Sequence, residues 1–367
     1  MSRPRRIALL FGGTSVEHEV SVVSARGVAA ALDPSRFEVV PIGITTEGRW
    51  LVPDASRAVL ASKAARVEGR GDEGRLVVDP GVGLLRLTEA GRPEPLPVDA
   101  VFSVVHGWGG EDGRFQGLLE VAGIPLVGPG VLGSAAGMDK QIAKALFQER
   151  GIPVGPWRAL RRERWEARAK AEEAAVVDAL GLPLFVKPAN GGSSVGINKV
   201  RDAGGLSEAL RIAFEHDAKA VVERGLDARE IECAVLGNAG AEVSVCGEIV
   251  PSGEFYDYAS KYQDGTSELL IPAPIPAPLS DRIRSLALSA FDALDLSGMA
   301  RVDFFLERST GDVFVNEVNT LPGFTPISMY PKLWEASGLT YPDLLSRLVD
   351  LAVERFESER RRRTRRS

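Results

Sequence analysis

Cysteine is nearly absent: the 367 residues include two, Cys233 and Cys246. That excludes a disulfide framework and makes a reducing cytoplasm the expected compartment. Both lie in apolar, strand-like runs, so they read as buried, inert thiols. Histidine is almost as rare, at three, and no Cys/His spacing of a zinc site occurs. No apolar run reaches bilayer-crossing length, and Met1 to Arg6 leads into a short strand rather than a signal-peptide core, so no membrane association is expected. A basic stripe interleaved with aromatics is also missing, which argues against nucleic acid as a partner. Lysine supplies only nine of the 44 basic residues; this chain normally writes Arg.

What is present is the composition of a soluble globular enzyme, 44% hydrophobic and 26% charged. Its length predicts two or three domains. Net charge is −6 although Arg360 to Arg366 holds six arginines, so the rest of the chain carries −12. Such a tail reads as a solvated, disordered end.

Arg5 to Phe11 predicts a buried strand, Gly12 to Glu17 a loop, Glu19 to Leu32 a helix, and Glu38 to Ile44 a second strand. That order predicts a parallel, helix-covered sheet. Val98 to Val105 is another buried strand, running into His106-Gly-Trp-Gly-Gly-Glu-Asp-Gly113. Glycine-rich turns at strand C-termini are where open α/β sheets place ligands. The stretch Ala61 to Pro97 reads as hairpin and loop. Asp139 is the candidate N-cap of a helix to Arg150, with Lys140 in its first turn. A charge-laced helix spans Glu163 to Leu180. Ile271 to Pro278 reads as a stiff extended connector, and Ser280 as the cap of the helix after it. His18 and His216 read as surface residues.

Arg301 to Asn319 predicts two strands joined by a turn at Ser309-Thr310-Gly311. Alternation puts Arg301, Asp303 and Phe305 on one face, and Val315, Glu317 and Asn319 on one face of the second strand. Folding about Thr310 sets Asp303 opposite Glu317 and Arg301 opposite Asn319. Two carboxylates and an amide oxygen, with no His or Cys, form a donor set that suits Mg²⁺. Taken alone, the same hairpin is equally a salt-bridged, solvated sheet face. The loop Asn190 to Gly196 follows a strand ending at Lys187, a pattern that fits phosphate but lacks the Gly-Lys-Ser/Thr of a Walker loop. Lys140, Lys187 and Lys261 each stand beside such a phosphate element.

The order of these parts resembles the ATP-grasp fold, and the match sharpens to the D-alanine–D-alanine ligase family. It is carried by Gly12 to Glu17, His106 to Gly113, Met138-Asp-Lys140, Lys187-Pro, Gly192 to Gly196, Tyr256 to Tyr262, Arg301-Val-Asp303 and Asn316 to Gly323. It covers residues 5 to 350. The implied architecture is mixed α/β and α+β: an N-terminal parallel-sheet substrate domain (1–128), then a two-subdomain ATP-grasp fold. Its central subdomain is expected at 129–221 and its C-terminal, metal-bearing subdomain at 222–356, before a basic disordered tail at 357–367.

By that resemblance Lys140 and Lys187 hold the phosphates of ATP under a loop containing Ser193 and Ser194, and Lys261 serves either phosphate or the carboxylate of the second D-alanine. Glu223 and the backbone near Leu226 meet adenine, and Glu230 the ribose. Asp303, Glu317 and Asn319 hold two Mg²⁺ ions, with Mn²⁺ as an alternative. Glu17 and His106 attend the first D-alanine, and Ser328 the carboxylate of the second. Arg301 and the Gly323 N–H stabilise the oxyanion, and Ser193, Tyr262 and Glu17 close a hydrogen-bonded lid. The alternative is that His106 does no more than order its turn.

The resemblance implies a cytoplasmic enzyme, commonly a homodimer, that makes D-alanyl-D-alanine for peptidoglycan precursors, with no nucleic-acid or membrane partner. A D-lactate- or D-serine-using ligase is the alternative within the fold; Tyr262 favours the dipeptide. A non-catalytic nucleotide-binding module is countered by the presence of Asp303, Glu317 and Arg301. An oxidoreductase rests only on Gly12-Gly13, without a full Gly-x-Gly-x-x-Gly.

Overall fold

The computed structural model describes residues 3–69, 75–87, 91–251 and 268–361. Its N-terminal part runs β1 (Arg5–Gly12), α1 (His18–Ala31), β2 (Phe37–Ile44), α2 (Pro53–Ala61), β3 (Arg75–Asp79), β4 (Gly83–Leu87), β5 (Pro93–Pro95), β6 (Ala100–Ser103) and α3 (Arg114–Val121). The middle holds α4 (Val131–Met138), α5 (Lys140–Glu149), β7 (Trp157–Arg161), α6 (Arg162–Leu180), β8 (Leu184–Pro188), β9 (Asn198–Val200), α7 (Leu206–His216) and β10 (Lys219–Arg224). The C-terminal part has β11 (Ala228–Gly237), β12 (Glu242–Val243), β13 (Gly247–Val250), β14 (Glu268–Leu270) and α8 (Ala277–Ala293). It continues through β15 (Gly298–Glu307), β16 (Val313–Asn319), α9 (Met329–Ala336) and α10 (Tyr341–Arg360).

Strand β1 is almost continuously apolar because both its faces are covered, as the parallel order β2-β1-β6 requires. Ile7, Leu9 and Phe11 pack on Val22, Ala25 and Val28 of α1 and on Leu344 and Leu348 of α10. Ala8 and Leu10 face Leu119 of α3 and the small antiparallel sheet β3-β4-β5. The middle part has an antiparallel sheet, β7-β10-β8-β9, with its own core against α6 and α7. The C-terminal sheet follows the order β14-β13-β11-β15-β16 and is antiparallel throughout.

One face of that sheet packs on α8 through Cys233, Val235, Ala300 and Val302. The other changes character along its length. At one end Ala234, Leu236 and Met299 join the N-terminal core. At the other Glu230, Glu232, Arg301 and Asp303 line a cleft. Period-two alternation is kept along both strands, so composition alone converts a packing face into a polar site.

The loop after β16 ties the two ends of the chain together. Phe324, 1% exposed, meets Phe102 of β6 edge-on at 5.4 Å, Tyr330 at 5.9 Å and Tyr341 at 6.4 Å. Arg5 and Arg36 both pair with Asp350 of α10, at 2.6 and 2.9 Å, but these side chains are nearly half exposed. Such pairs contribute about 0–1 kcal/mol, so the apolar core holds the join.

Several expectations change. The boundary at 221/222 falls inside β10, which pairs with β7 and β8; sheet membership breaks instead between Arg224 and Ala228. Helices α4 and α5 pack through Ala136, Ala143 and Phe147 into the C-terminal core rather than the central one. Residues 357–360, expected in the tail, complete the last turn of α10. Helix α8 starts at Ala277, after Pro276, so Ser280 lies within it and does not cap it. His18 is buried: its Nδ1 lies 2.6 Å from the Gly13 carbonyl, and its Nε2 accepts from the Val67 N–H at 2.9 Å. His216 is exposed and the two thiols are buried, as expected. Among the described residues no helix is long and apolar enough to cross a membrane.

Phe324→Ala is expected to lower stability by about 3–5 kcal/mol, the cost of emptying a fully buried aromatic site. Denaturant midpoints compared at equal slope measure it; a loss below about 1 kcal/mol would mean that the loop collapses into the space.

Candidate active site

The phosphate-like loop is built from three segments. Asp139 caps α5 by accepting from the Gln141 and Ile142 N–H groups, both at 3.1 Å. Its other oxygen meets Lys219, which fastens the helix start to β10. The Lys140 N–H donates to the Ala189 carbonyl at 2.9 Å, and Lys140 Nζ donates to the Gly191 carbonyl at 2.8 Å. That ammonium also lies 3.3 Å from Glu317 on β16. In the loop itself Ser193 and Ser194 take φ values of 49° and 61°. Left-handed backbone at non-glycine residues costs about 1–3 kcal/mol each. A 2.5 Å hydrogen bond from Ser193 Oγ to Glu17 helps to hold that shape. Glu17 is buried, and there is no room for a side chain beside it: a Cβ would sit 3.0 Å from its carboxylate at Gly192 and 2.7 Å at Gly107. Tyr262 and Lys261, expected to join this lid, lie outside the described residues, as do Tyr256 and Tyr258.

On the C-terminal sheet the predicted register holds, with Asp303 opposite Glu317 and Arg301 opposite Asn319. Arg301 donates to both oxygens of Asp303, at 2.7 and 2.8 Å, and lies 2.9 Å from Glu232. Asn319 donates to Asp303 at 2.9 Å. Burial alone would push the Arg301 guanidinium down, but Asp303 and Glu232 outweigh it and hold the group well above its usual value.

The ladder breaks between Asp303 and Phe304, whose partner is Val315, so Asn316 is an extra residue in a β-bulge. The bulge turns Val315 into the α8 core, off the face of Glu317 and Asn319 on which strict alternation places it. It also aims Asn316 at the lysines: its carbonyl accepts from Lys144 at 3.1 Å, and its side-chain oxygen from Lys187 at 3.4 Å.

Behind this strand, Glu223 of β10 lies between two ammonium groups. Lys187 donates to one carboxylate oxygen at 3.0 Å, and Lys144 lies 3.1 Å from the other. Burial works to raise the Glu223 pKa, but Lys144 and Lys187 together bring it down to about 2. Burial pushes Lys144 down, with Glu223 opposing it only in part. For Lys187 burial acts the same way, but Glu223 and Glu317 win and the shift is upward. The sequence expectations give Lys144, Asn316 and Glu232 no role in the site. The available signal was that Lys144 follows Lys140 by four residues, on the same helix face, in a chain with nine lysines.

The remaining expected residues line two connected clefts. The first holds Glu17, His106, Lys140, Gly323 and Ser328. The second holds Lys187, Ser194, Glu223, Leu226, Glu230 and Asp303. Arg301, Glu317 and Glu232 line both, so the clefts meet at the carboxylate hairpin. In the first, His106 Nδ1 lies 3.2 Å from the Leu321 carbonyl and 3.4 Å from Glu111. Burial by itself pushes this imidazole down; Glu111, with Glu17 and the Leu321 carbonyl, reverses that, and the net shift is upward. A Cβ at Gly323 would sit 2.8 Å from Ser328 Oγ, which accepts from the Thr325 N–H at 3.0 Å.

Asp303, Glu317 and Asn319 offer hard oxygen donors on neighbouring strands, a set that fits Mg²⁺. Among the described residues, no group of three or more His, Cys, Asp or Glu side chains is gathered to hold a metal.

Two family models match the chain: "D-ala D-ala ligase N-terminus" over residues 6–129 and "D-ala D-ala ligase C-terminus" over 146–350. The chain belongs to the D-alanine–D-alanine ligase family. It shares that family's ATP-grasp fold and is an ATP-dependent ligase. D-alanine–D-alanine ligase A of Salmonella typhimurium is 49% identical over 353 residues, covering 95% of this chain and 96% of that one. The Escherichia coli K12 ligase A is 48% identical over 358 residues, covering 96% and 97%. The solved D-alanine–D-alanine ligase of Coxiella burnetii superposes with a TM-score of 0.82 at 35% identity, over 98% of this chain and 97% of that one. The VanG D-Ala:D-Ser ligase of Enterococcus faecalis gives 0.81 at 37% identity, over 95% and 100%.

Because the Glu223 carboxylate is depressed from 4.5 to about 2, it stabilises the fold above its ordinary value. That contribution is lost as pH falls toward the folded value. Glu223→Gln is therefore expected to be less stable than the parent near pH 7, with the gap closing on acidification. Melting temperatures from pH 7 to pH 3 measure this; a gap that stays constant would mean that the carboxylate does not carry the charge assigned to it.

Proposed function

We propose that this ligase joins two D-alanines to D-alanyl-D-alanine for peptidoglycan precursors, converting ATP to ADP and phosphate. The observation that carries the reading is the meeting of the two clefts at Arg301 and Glu317. A nucleotide in one and an amino acid in the other would bring the γ-phosphate and a carboxylate together there.

In this reading Lys140 and Lys187 release their carboxylate partners to grip phosphate, with Lys261 as the third ammonium. Ser193 and Ser194 cover the phosphates, while Glu223, the backbone near Leu226, and Glu230 receive the adenosine. Asp303, Glu317 and Asn319 would hold two Mg²⁺ ions, or Mn²⁺ in their place, and the metal supplies neutralisation of phosphate charge. Glu17 pairs with the ammonium of the first D-alanine, and His106 supports the turn beside it. The D-alanine carboxylate takes the γ-phosphoryl group, giving an acyl phosphate. Ser328 holds the carboxylate of the second D-alanine, whose amine attacks the activated carbonyl. Phosphate leaves from a tetrahedral adduct whose oxyanion meets Arg301 and the Gly323 N–H, an electrostatic contribution that is usually large. Glu17, Ser193 and Tyr262 close the site against water, which would hydrolyse the acyl phosphate.

The likeness to VanG keeps a D-serine acceptor as the second reading. The enzyme is read as a cytoplasmic homodimer. ADP release with D-alanine alone, followed by product analysis with D-serine or D-lactate added, tests the choice; a mixed dipeptide or depsipeptide as main product near neutral pH overturns it. Glu317→Gln is expected to lower turnover at least about tenfold by removing a metal-site charge. Unchanged kinetics at saturating Mg²⁺ would remove Glu317 from the site.

A further inference from the structure

Lys144 is a buried charge that the reaction above leaves without a task. It is 2% exposed and lines neither cleft, unlike Lys187, which lines the nucleotide side. Both ammonium groups share the Glu223 carboxylate, Lys144 from behind at 3.1 Å and Lys187 from the cleft at 3.0 Å. Lys144 also donates to the carbonyl of the bulged Asn316 at 3.1 Å. It therefore joins α5, β10 of the central sheet and β16 of the C-terminal sheet at one point.

Lys187 cannot serve a phosphate and Glu223 equally. A phosphate that draws Lys187 away removes one of the two partners of a buried carboxylate, and an uncompensated buried charge is strongly unfavourable. We propose that Lys144 is a positioning residue for ATP: it is the counter-ion that Glu223 keeps, which frees Lys187 for phosphate and leaves Glu223 in place on the nucleotide wall. Without Lys144, Glu223 would hold Lys187 as its remaining ammonium partner, and ATP would have to break that pair. The cleft containing Glu17 and Ser328 is not involved. The inference rests on the proposed ligase reaction and adds a residue to it.

The test uses the full chain with Lys144→Met, Lys144→Arg, Glu223→Gln and the Lys144→Met/Glu223→Gln double variant. KM for ATP, KM for D-alanine, kcat and melting temperature are measured for each. Lys144→Met is expected to raise KM for ATP about tenfold or more while KM for D-alanine moves less than about twofold, the signature of a loss confined to nucleotide binding. Lys144→Arg should recover part of the loss. In the Glu223→Gln background Lys144→Met should change KM for ATP less than about twofold, because no carboxylate is left to retain Lys187.

A lowered melting temperature with an unaltered KM for ATP in Lys144→Met overturns the proposal, and so do effects that multiply in the double variant. If Lys144→Met does not fold, the double variant, which has no unbalanced carboxylate, carries the comparison against Glu223→Gln. Equal KM values for ATP then support the role and a tenfold rise overturns it. Absence of ADP release by the unaltered chain with D-alanine would sink the ligase reaction itself. ADP release with a KM for ATP indifferent to Lys144 would sink only the counter-ion role.

Discussion

A charge taken out of water persists only where opposite charge and hydrogen bonds compensate its lost hydration. This constraint organises the clefts. Arg301 stands between Asp303 and Glu232, Lys140 against Glu317, and Glu223 between Lys144 and Lys187. Apart from Arg301 and Asp303, which share β15, the partners come from different elements, so without substrate the polar groups hold one another in position. Breaking a buried pair by removing one partner costs about 3–5 kcal/mol, far more than the exposed Arg211 pairs with Glu208 and Glu215 can contribute. Substrates that displace these partners find the groups already aimed.

The hairpin could be read from the sequence because it obeys local rules. Its turn is marked by Thr310-Gly311, and alternation about it gives the observed pairs Arg301–Asn319 and Asp303–Glu317, although not the pairing nearer the turn, where the register shifts by one residue. The cap at Asp139 and the buried strand β1 follow from equally short-range signals. The bulge was not legible: inserting Asn316 leaves the composition of the strand unchanged, and only the pairing with β15 discloses it. Lys144 was hidden for a similar reason. In a helix pattern it passes for one more solvated lysine, and its burial depends on β10 and β16, which are distant in sequence. His18 was read as exposed for want of a visible partner; its partners, the Gly13 carbonyl and the Val67 N–H, belong to loops.

Domain edges were the least legible feature. Strand β10 follows a helix and precedes a glycine, so composition gives no reason to assign it to one sheet over the other. Its hydrogen bonds to β7 and β8 decide the matter. The loop over the clefts was easier, since the Lys-Pro that ends a strand and the glycine-serine loop after it lie within a few residues of each other.

Phe324 lies one residue beyond Gly323, yet its ring is seated on Phe102 from the first sheet and on Tyr341 from the last helix. The two ends of the chain are therefore not interchangeable modules. A chimera whose N-terminal part, through Phe102, came from a relative would keep its catalytic groups in name, but the loop carrying Gly323 would rest on a foreign ring. Recombination between members of this family should thus succeed only where the aromatic seat travels with the loop that rests on it.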